Sequence, residues 1–153
     1  MNITAYDIAS RFLGLSEVAG TSSNPAVLAM LRLDAGSAIA DDATPWCSAF
    51  VNYVCWLLRL PRSKSLAARS WLEVGAAVEL DDARVGWDVV ILSRGDGTQP
   101  GPEVTDAPGH VGLFSGRDGA WIMLLGGNQG DKVSVARFDP ARVLGVRRLR
   151  QED

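Results

Sequence analysis

The first half of the chain carries apolar residues at helical spacing, interrupted by short polar breaks. Residues 4–15 repeat apolar positions every three to four residues, which predicts a first helix. Asn24 followed by Pro25 is a capping residue followed by a residue suited to the first helical turn. This pair predicts a second helix, which we expect to end near Gly36.

The same start signal recurs before the most apolar stretch of the chain. Thr44 and Pro45 precede residues 46–58, which we predict to form the central helix. A short fourth helix is predicted over 66–72, with Ser65 as its cap. The part of the chain before residue 76 is therefore predicted to be helical.

Beyond Gly75 the hydrophobic period changes to that of strands. Short β-branched and aromatic runs alternate with Gly, Asp and Pro, and they predict strands at 76–80, 87–92, 110–114, 121–125, 133–136 and 143–149. The last run could equally belong to a basic tail, because Arg147, Arg148 and Arg150 fall in or beside it. Helices followed by antiparallel strands predict an α+β fold, with a helical half of about 1–75 and a sheet half of about 76–150.

Length and composition limit the class of protein. The 153 residues, 47% of them hydrophobic, suffice for one core, so we predict a single domain over 1–153. A net charge of −3 gives no basic field for nucleic acid, and no apolar run reaches the ~20 residues of a membrane span. The first residues lack the features of a signal peptide, so we expect synthesis in the cytoplasm without one.

The two cysteines are predicted to have different roles. Cys47 and Cys55 are eight residues apart on one predicted helix, about 12 Å, whereas a disulfide needs Cα atoms within about 7 Å. Cys47 falls in the first helical turn, where free N–H groups and the helix dipole favour a thiolate. We therefore predict Cys47 as a nucleophile whose own N–H could help bind an oxyanion, and Cys55 as a core residue.

His110 is the only histidine, so any imidazole base must be this residue. It follows a long aperiodic connection, residues 94–109, of the kind that is often functional. A predicted hairpin of the strands 110–114 and 121–125 returns Asn128 and Gln129 to its neighbourhood. Asn128 is our candidate to orient the imidazole, with Gln129 as the second choice. Asn128 could instead serve only as a turn residue, because Asn tolerates left-handed backbone.

Three strings in this order resemble the NlpC-like and CHAP-type papain-like cysteine peptidases. They are TPWCSAFVN at 44–52, GHVG at 109–112 and LGGNQ at 125–129. The resemblance covers nearly the whole chain and looks closest to the small cell-wall hydrolases of bacteriophages and prophages, the endolysins. It implies a papain-like fold with the nucleophile at the start of the central helix.

The resemblance also implies the activity and the site. The implied reaction is hydrolysis of amide bonds in peptidoglycan stem peptides, with Cys47 as nucleophile, His110 as base and Asn128 as the orienting residue. Many relatives carry a carboxylate or a second histidine at this third position. Candidates for the oxyanion site or the substrate groove are Trp46, Ser48, Gln129, Arg69 and Trp71.

Several alternatives stay open at this point. A zinc site is not expected from one histidine and two distant cysteines, and no metal or other cofactor is predicted. A catalytically silent module that binds wall fragments or a protein could use the same fold, and acyl transfer to an amine could use the same residues. We expect a monomer that reaches the bacterial wall after release by a phage or injection as an antibacterial effector.

Overall fold

The computed structural model describes residues 2–18, 23–36 and 45–151. Within these ranges three α-helices precede every strand: α1 (Ala5–Ser10), α2 (Pro25–Ala35) and α3 (Cys47–Leu58). The strands are β1 (Ala76–Val78), β2 (Asp88–Ser93), β3 (Gly109–Asp118), β4 (Trp121–Gly126), β5 (Ser134–Phe138) and β6 (Val143–Arg148). The predicted α+β class is confirmed, and each predicted strand is found.

Local capping explains the first two helices. Thr4 and Asp7 form a reciprocal capping box, in which each side chain accepts a hydrogen bond from the other residue's backbone N–H. α1 is shorter than predicted, because the chain leaves the helix for turns after Ser10. Asn24 caps α2 by accepting a bond from the N–H of Ala26 at 2.9 Å, and the helix ends at Gly36 as predicted.

The start of α3 differs from the prediction. The helix begins at Cys47 with Trp46 in the capping position, so Pro45 precedes the helix; the predicted cap Thr44 lies outside the described residues. The Trp46 ring is fully buried, and its Nε1 donates a hydrogen bond to the Glu17 carboxylate at 2.7 Å. These contacts hold the backbone in place where α3 begins. A Cβ at Gly127 would lie 2.8 Å from the ring, so only glycine admits this packing.

The predicted fourth helix is a 3₁₀ helix, Ala68–Glu73. The predicted cap Ser65 is wrong, because Ala67 occupies the capping position and no side chain caps this helix. The Ser65 hydroxyl instead accepts from the N–H of Ala67 at 3.1 Å, in the turn before the helix. The short segment carries Arg69 and Trp71 into the interior. None of the described helices has both the length and the apolar character needed to cross a membrane.

The six strands form one antiparallel sheet in the order β1-β6-β2-β3-β4-β5. β2 lies inside the sheet and is buried along its whole length. One face of the sheet packs against the helices, and the other carries a smaller apolar cluster that includes Val90, Phe114 and Leu124. In the β2–β3 register Leu92 lies opposite His110, which places His110 where β3 begins and β2 ends.

β6 is a strand of the sheet and not a basic tail. Arg148 makes two hydrogen bonds of 2.8 Å to the buried carboxylate of Asp88, which lies opposite it in the β2–β6 register. Arg150 lies over the ring of Trp87, 5.1 Å from its centroid. Arg147 donates to the carbonyl of Gly75 at 3.5 Å. All three arginines of this segment therefore have partners within the fold, whereas the alternative interpretation required a solvated basic ending.

Candidate active site

Cys47 is the first residue of α3 and is 3% exposed. Burial raises the pKa of its thiol, and this outweighs the backbone N–H groups of Val111, Ser48 and Cys47 itself and the charge of Arg94, which all lower it. The helix terminus alone predicted an easily ionised thiol. The structure corrects that expectation, because the loss of hydration is the larger effect, and Cys47 rests as a neutral thiol.

Cys55 lies two turns further along α3 and is fully buried. Both cysteines are free. Burial raises the pKa of Cys55 to about 12, with a smaller opposing effect of the Arg62 charge. Its predicted place in the core is confirmed, and Cys55 provides an internal control for experiments on Cys47.

His110 is the second residue of β3, next to Val111, whose N–H faces the Cys47 sulfur. The imidazole is 6% exposed and stacks on Phe138, with ring centroids 5.3 Å apart. Burial lowers the pKa of His110; the hydrogen bond to Gln129 opposes this, and the charges of Arg94 and Arg142 add to it. The ring is therefore neutral at pH 7 and able to accept a proton.

Gln129 determines which nitrogen of His110 carries the proton. Its Nε2 donates to the carbonyl of Leu124 at 3.1 Å and to that of Ser134 at 2.7 Å, so its Oε1 must face the imidazole. That Oε1 lies 2.9 Å from Nε2 of His110, which must then be the donor. The lone pair is left on Nδ1, and this nitrogen is the base of the resting site.

The side chain that is hydrogen-bonded to the His110 imidazole is that of Gln129 and not that of Asn128. Asn128 has a φ of 57°, so it makes the left-handed turn that sequence reasoning kept as its alternative role. The turn brings the next residue, Gln129, under the imidazole. Gly126 makes room for it, because a Cβ there would lie 2.5 Å from Oε1 of Gln129.

We expect Gln129→Ala to lower kcat by about 10²-fold, because His110 loses the acceptor that fixes its orientation and tautomer. The ¹⁵N shifts of the single histidine should change from one dominant Nε2–H form to a mixture of tautomers. Asn128→Gly keeps the left-handed turn, and we expect kcat within about threefold of wild type. The reverse order of effects would return the orienting role to Asn128.

Four predicted groove residues are buried structural residues instead: Trp46, Ser48, Arg69 and Trp71. Trp71 Nε1 donates to the Ser48 hydroxyl at 2.9 Å, and that hydroxyl donates to the carbonyl of Ser65 at 2.6 Å. This network ties the start of α3 to the segment before the 3₁₀ helix. The expectation that these side chains contact substrate is corrected, because each is used within the fold.

Arg69 organises the long connection between β2 and β3. Its fully buried guanidinium donates to the carbonyls of Pro100, Gly101, Val104 and Pro108 at 2.9–3.2 Å. The connection has no helix or strand of its own, as predicted. Because Arg69 is hydrogen-bonded to four carbonyl groups of the connection, it fixes the backbone path up to Gly109, directly before His110.

Two grooves open at this end of the molecule. The thiol groove, of about 380 Å³, runs past Cys47 and is lined also by Leu66, Ala68, Asp106 and Pro108. The imidazole groove, of about 480 Å³, runs past His110 and is lined also by Gln129, Ser134, Phe138 and Arg142. Arg94 lines both grooves. Sequence reasoning missed Arg94 and Arg142; the one available signal was that Arg94 directly follows a buried strand and opens the long connection.

The lone histidine makes the electrostatics of the site measurable. We expect the NMR titration of His110 in the untagged protein to give a pKa below the ordinary 6.5, because burial opposes protonation. The acidic limb of kcat/KM should then also fall below pH 6.5, since the base stays neutral to that point. A His110 pKa above 6.5 would show that the Gln129 bond outweighs burial.

The arrangement suits acyl transfer. Three kinds of group lie where α3 begins and β3 starts. They are a neutral thiol, a neutral imidazole with a free Nδ1, and the N–H groups of Cys47 and Ser48. Such N–H groups can stabilise the negative oxygen that forms when sulfur adds to a carbonyl. In the described part of the chain no group of three or more His, Cys, Asp or Glu residues could hold a metal.

Comparison with known proteins supports the fold. The chain matches no protein-family model and no curated protein. It superposes on the structure of NlpC1 from Trichomonas vaginalis with a TM-score of 0.56 and 16% identity, covering 95% of this chain and 42% of that one. It superposes on the P60 domain of an antigen from M. avium subspecies paratuberculosis with a TM-score of 0.53 and 15% identity, covering 97% and 96%. The predicted NlpC-like fold is thus confirmed.

Proposed function

We propose that the protein is a cysteine hydrolase of amide bonds in peptidoglycan stem peptides. The proposal rests on the NlpC/P60 fold together with the Cys47 thiol and the His110 imidazole at one end of the molecule. The observation that carries the proposal is the bond from His110 Nε2 to a Gln129 amide that two carbonyls hold in place. This bond leaves Nδ1 as a base.

The reaction starts from the neutral pair. Nδ1 of His110 accepts the proton of the Cys47 thiol as the sulfur adds to the substrate carbonyl, and the carbonyl oxygen becomes an oxyanion near the N–H groups of Cys47 and Ser48. When the C–N bond breaks, Nδ1–H protonates the departing amine and a thioester remains on Cys47. Water then attacks the thioester, gives its proton to Nδ1, and the acid leaves as the thiol is restored.

The imidazole does not act alone in these steps. Protonation of Nδ1 creates a positive ring in a buried place, and the Oε1 of Gln129 stabilises it by accepting from Nε2–H. An amide gives less stabilisation to this cation than a carboxylate would. The imidazole is therefore protonated only between its uptake of the thiol proton and its donation of that proton to the leaving nitrogen. This suits a base that must release its proton in the same cycle.

The substrate class rests on the sequence resemblance together with the fold. Stem peptides are the substrates that the resemblance implies, and grooves of about 380 and 480 Å³ on either side of the reacting groups have room for peptide side chains. The narrower hypotheses stay predictions: a phage or prophage endolysin, or an injected antibacterial effector, acting on the wall as a monomer.

The test is release of soluble peptides from purified peptidoglycan, with mass spectrometry of the products. We expect release by the untreated protein and none after iodoacetamide has labelled Cys47. The variant Cys55→Ala should behave identically, because Cys55 is buried away from both grooves. The fragment masses identify the bond.

A silent binding module on the same fold gives the opposite pattern. It would release nothing from any wall chemistry, yet would retain binding to wall fragments after the same labelling. Products that carry an added amine in place of water would instead indicate acyl transfer.

A further inference from the structure

Arg94 is the exposed cation at the junction of the two grooves. Its guanidinium makes no hydrogen bond or ion pair with any residue in the described ranges, and its charge acts on both Cys47 and His110. An arginine that the fold needs usually has acceptors, as Arg69 and Arg148 do here. Arg94 is therefore available to a ligand.

Arg142 gives the imidazole groove a second positive charge. Its Nε and Nη2 donate to the carbonyl of Ser93 at 3.1 and 2.9 Å, and its guanidinium lies 5.5 Å from the centroid of Phe138. These contacts hold the group in one place and leave Nη1 without a partner among the described residues. Ser93 directly precedes Arg94, so the two guanidinium groups extend from adjacent parts of the fold.

The two grooves differ in charge. The imidazole groove is lined by Arg94 and Arg142, and no carboxylate of the described residues lines it. The thiol groove is lined by Arg94 and by the carboxylate of Asp106. On a chain whose net charge is −3, a groove with two positive charges and no negative one favours an anionic ligand.

The chemistry of the proposed reaction says which part of the substrate lies there. His110 must reach the nitrogen of the departing amine to protonate it, so the leaving fragment occupies the imidazole groove. We propose that Arg94 and Arg142 bind a carboxylate on the leaving fragment, so that the protein selects amide bonds whose amine side carries a free carboxylate. This inference rests on the proposed function for the identity of the fragment.

Recognition of this kind has a physical advantage for the site. Guanidinium groups bind carboxylates through paired, charge-assisted hydrogen bonds, and a partly enclosed groove strengthens them. A carboxylate bound there would also offset the positive charges that disfavour a protonated His110. The bound leaving fragment would thereby stabilise the protonated imidazole, which must donate its proton to the amine of that same fragment.

The test compares carboxylate with carboxamide. Each substrate is a stem peptide that the wild-type protein cleaves, paired with the same peptide in which the carboxylates are converted to carboxamides. Both forms are given to wild type, Arg94→Gln and Arg94→Lys. We expect the wild type to prefer the carboxylate form by about tenfold or more in kcat/KM. Arg94→Gln should lose most of this preference, with a larger rise in KM on the carboxylate form than on the carboxamide form, while Arg94→Lys keeps part of the preference.

Binding separates the inference from the proposed function. Alanylalanine, which has a free amine and a carboxylate, and its C-terminal amide can be titrated into Cys47→Ala while the NMR signals of His110 are followed. We expect saturable shifts and a raised His110 pKa with alanylalanine only, and a loss of both in Cys47→Ala with Arg94→Gln. Arg117→Gln is the matched control, because Arg117 is paired only at the surface with Leu80 and Asp81.

The outcomes are distinct. Equal cleavage of both substrate forms by the wild type, or an equal loss on both in Arg94→Gln, would overturn the inference while leaving the hydrolase intact. Absence of cleavage with Arg94-dependent binding of alanylalanine would overturn the proposed function and retain the anion site. Absence of both would overturn both.

Discussion

Cys47→Ala is expected to lower turnover of a cleaved stem peptide by at least about 10³-fold, because no other group near His110 can form the thioester. The remaining activity would come from binding and from the N–H groups at the start of α3. Substrate binding should persist, since alanine removes only the sulfur at a position that is 3% exposed. The measurement is single-turnover cleavage followed by chromatography, with binding measured on the same variant.

The matched control for this prediction is Cys55→Ala. Both substitutions remove one sulfur from α3, but Cys55 lies in the core, so its loss should cost about 1–2 kcal/mol in stability and leave kcat unchanged. Circular dichroism and thermal melting show whether each variant is folded. Full turnover by a folded Cys47→Ala protein would rule out the cysteine mechanism.

The second large effect is expected at His110. His110→Ala should lower kcat by about 10³-fold, because the thiol, whose pKa is raised by burial, then has no base to ionise it. The rate of Cys47 alkylation at pH 7 should fall as well, and it should recover at high pH where hydroxide removes the proton. Alkylation that is unchanged in His110→Ala would show that the thiol ionises without the imidazole.

The same substitution has a consequence for stability. In the wild type the folded state disfavours a charged His110, so below pH 6.5 the unfolded chain takes up a proton that the folded chain resists. Stability should therefore fall as the pH drops below 6.5, and His110→Ala should lack this part of the pH dependence. At pH 7 the variant should be less stable by about 1–3 kcal/mol, because Gln129 Oε1 loses its donor and Phe138 its stacking partner. Urea unfolding at several pH values measures both effects.

Much of the fold follows from local signals in the sequence. Asn24 and Pro25 define the start of α2 and Gly36 its end, because capping acts over a few residues. The change from helical to strand period after residue 75 defines the two halves. The six strands follow because β-branched and aromatic runs suit a pleated, buried surface and the Gly, Asp and Pro residues between them end each run.

The sequence by itself determined the α+β fold, the cysteine in the first turn of the apolar helix and the lone histidine where β3 begins, since each depends on residue type and short-range periodicity. Only the tertiary structure decided the rest. Gln129 contacts His110 because the left-handed turn at Asn128 and the missing side chain of Gly126 set its position. Trp46, Arg69 and Trp71 proved to be interior residues, and Arg94 a groove residue, because burial depends on partners distant in sequence. The same burial decides that the resting pair is neutral, since hydration is lost only when α3 packs against the sheet.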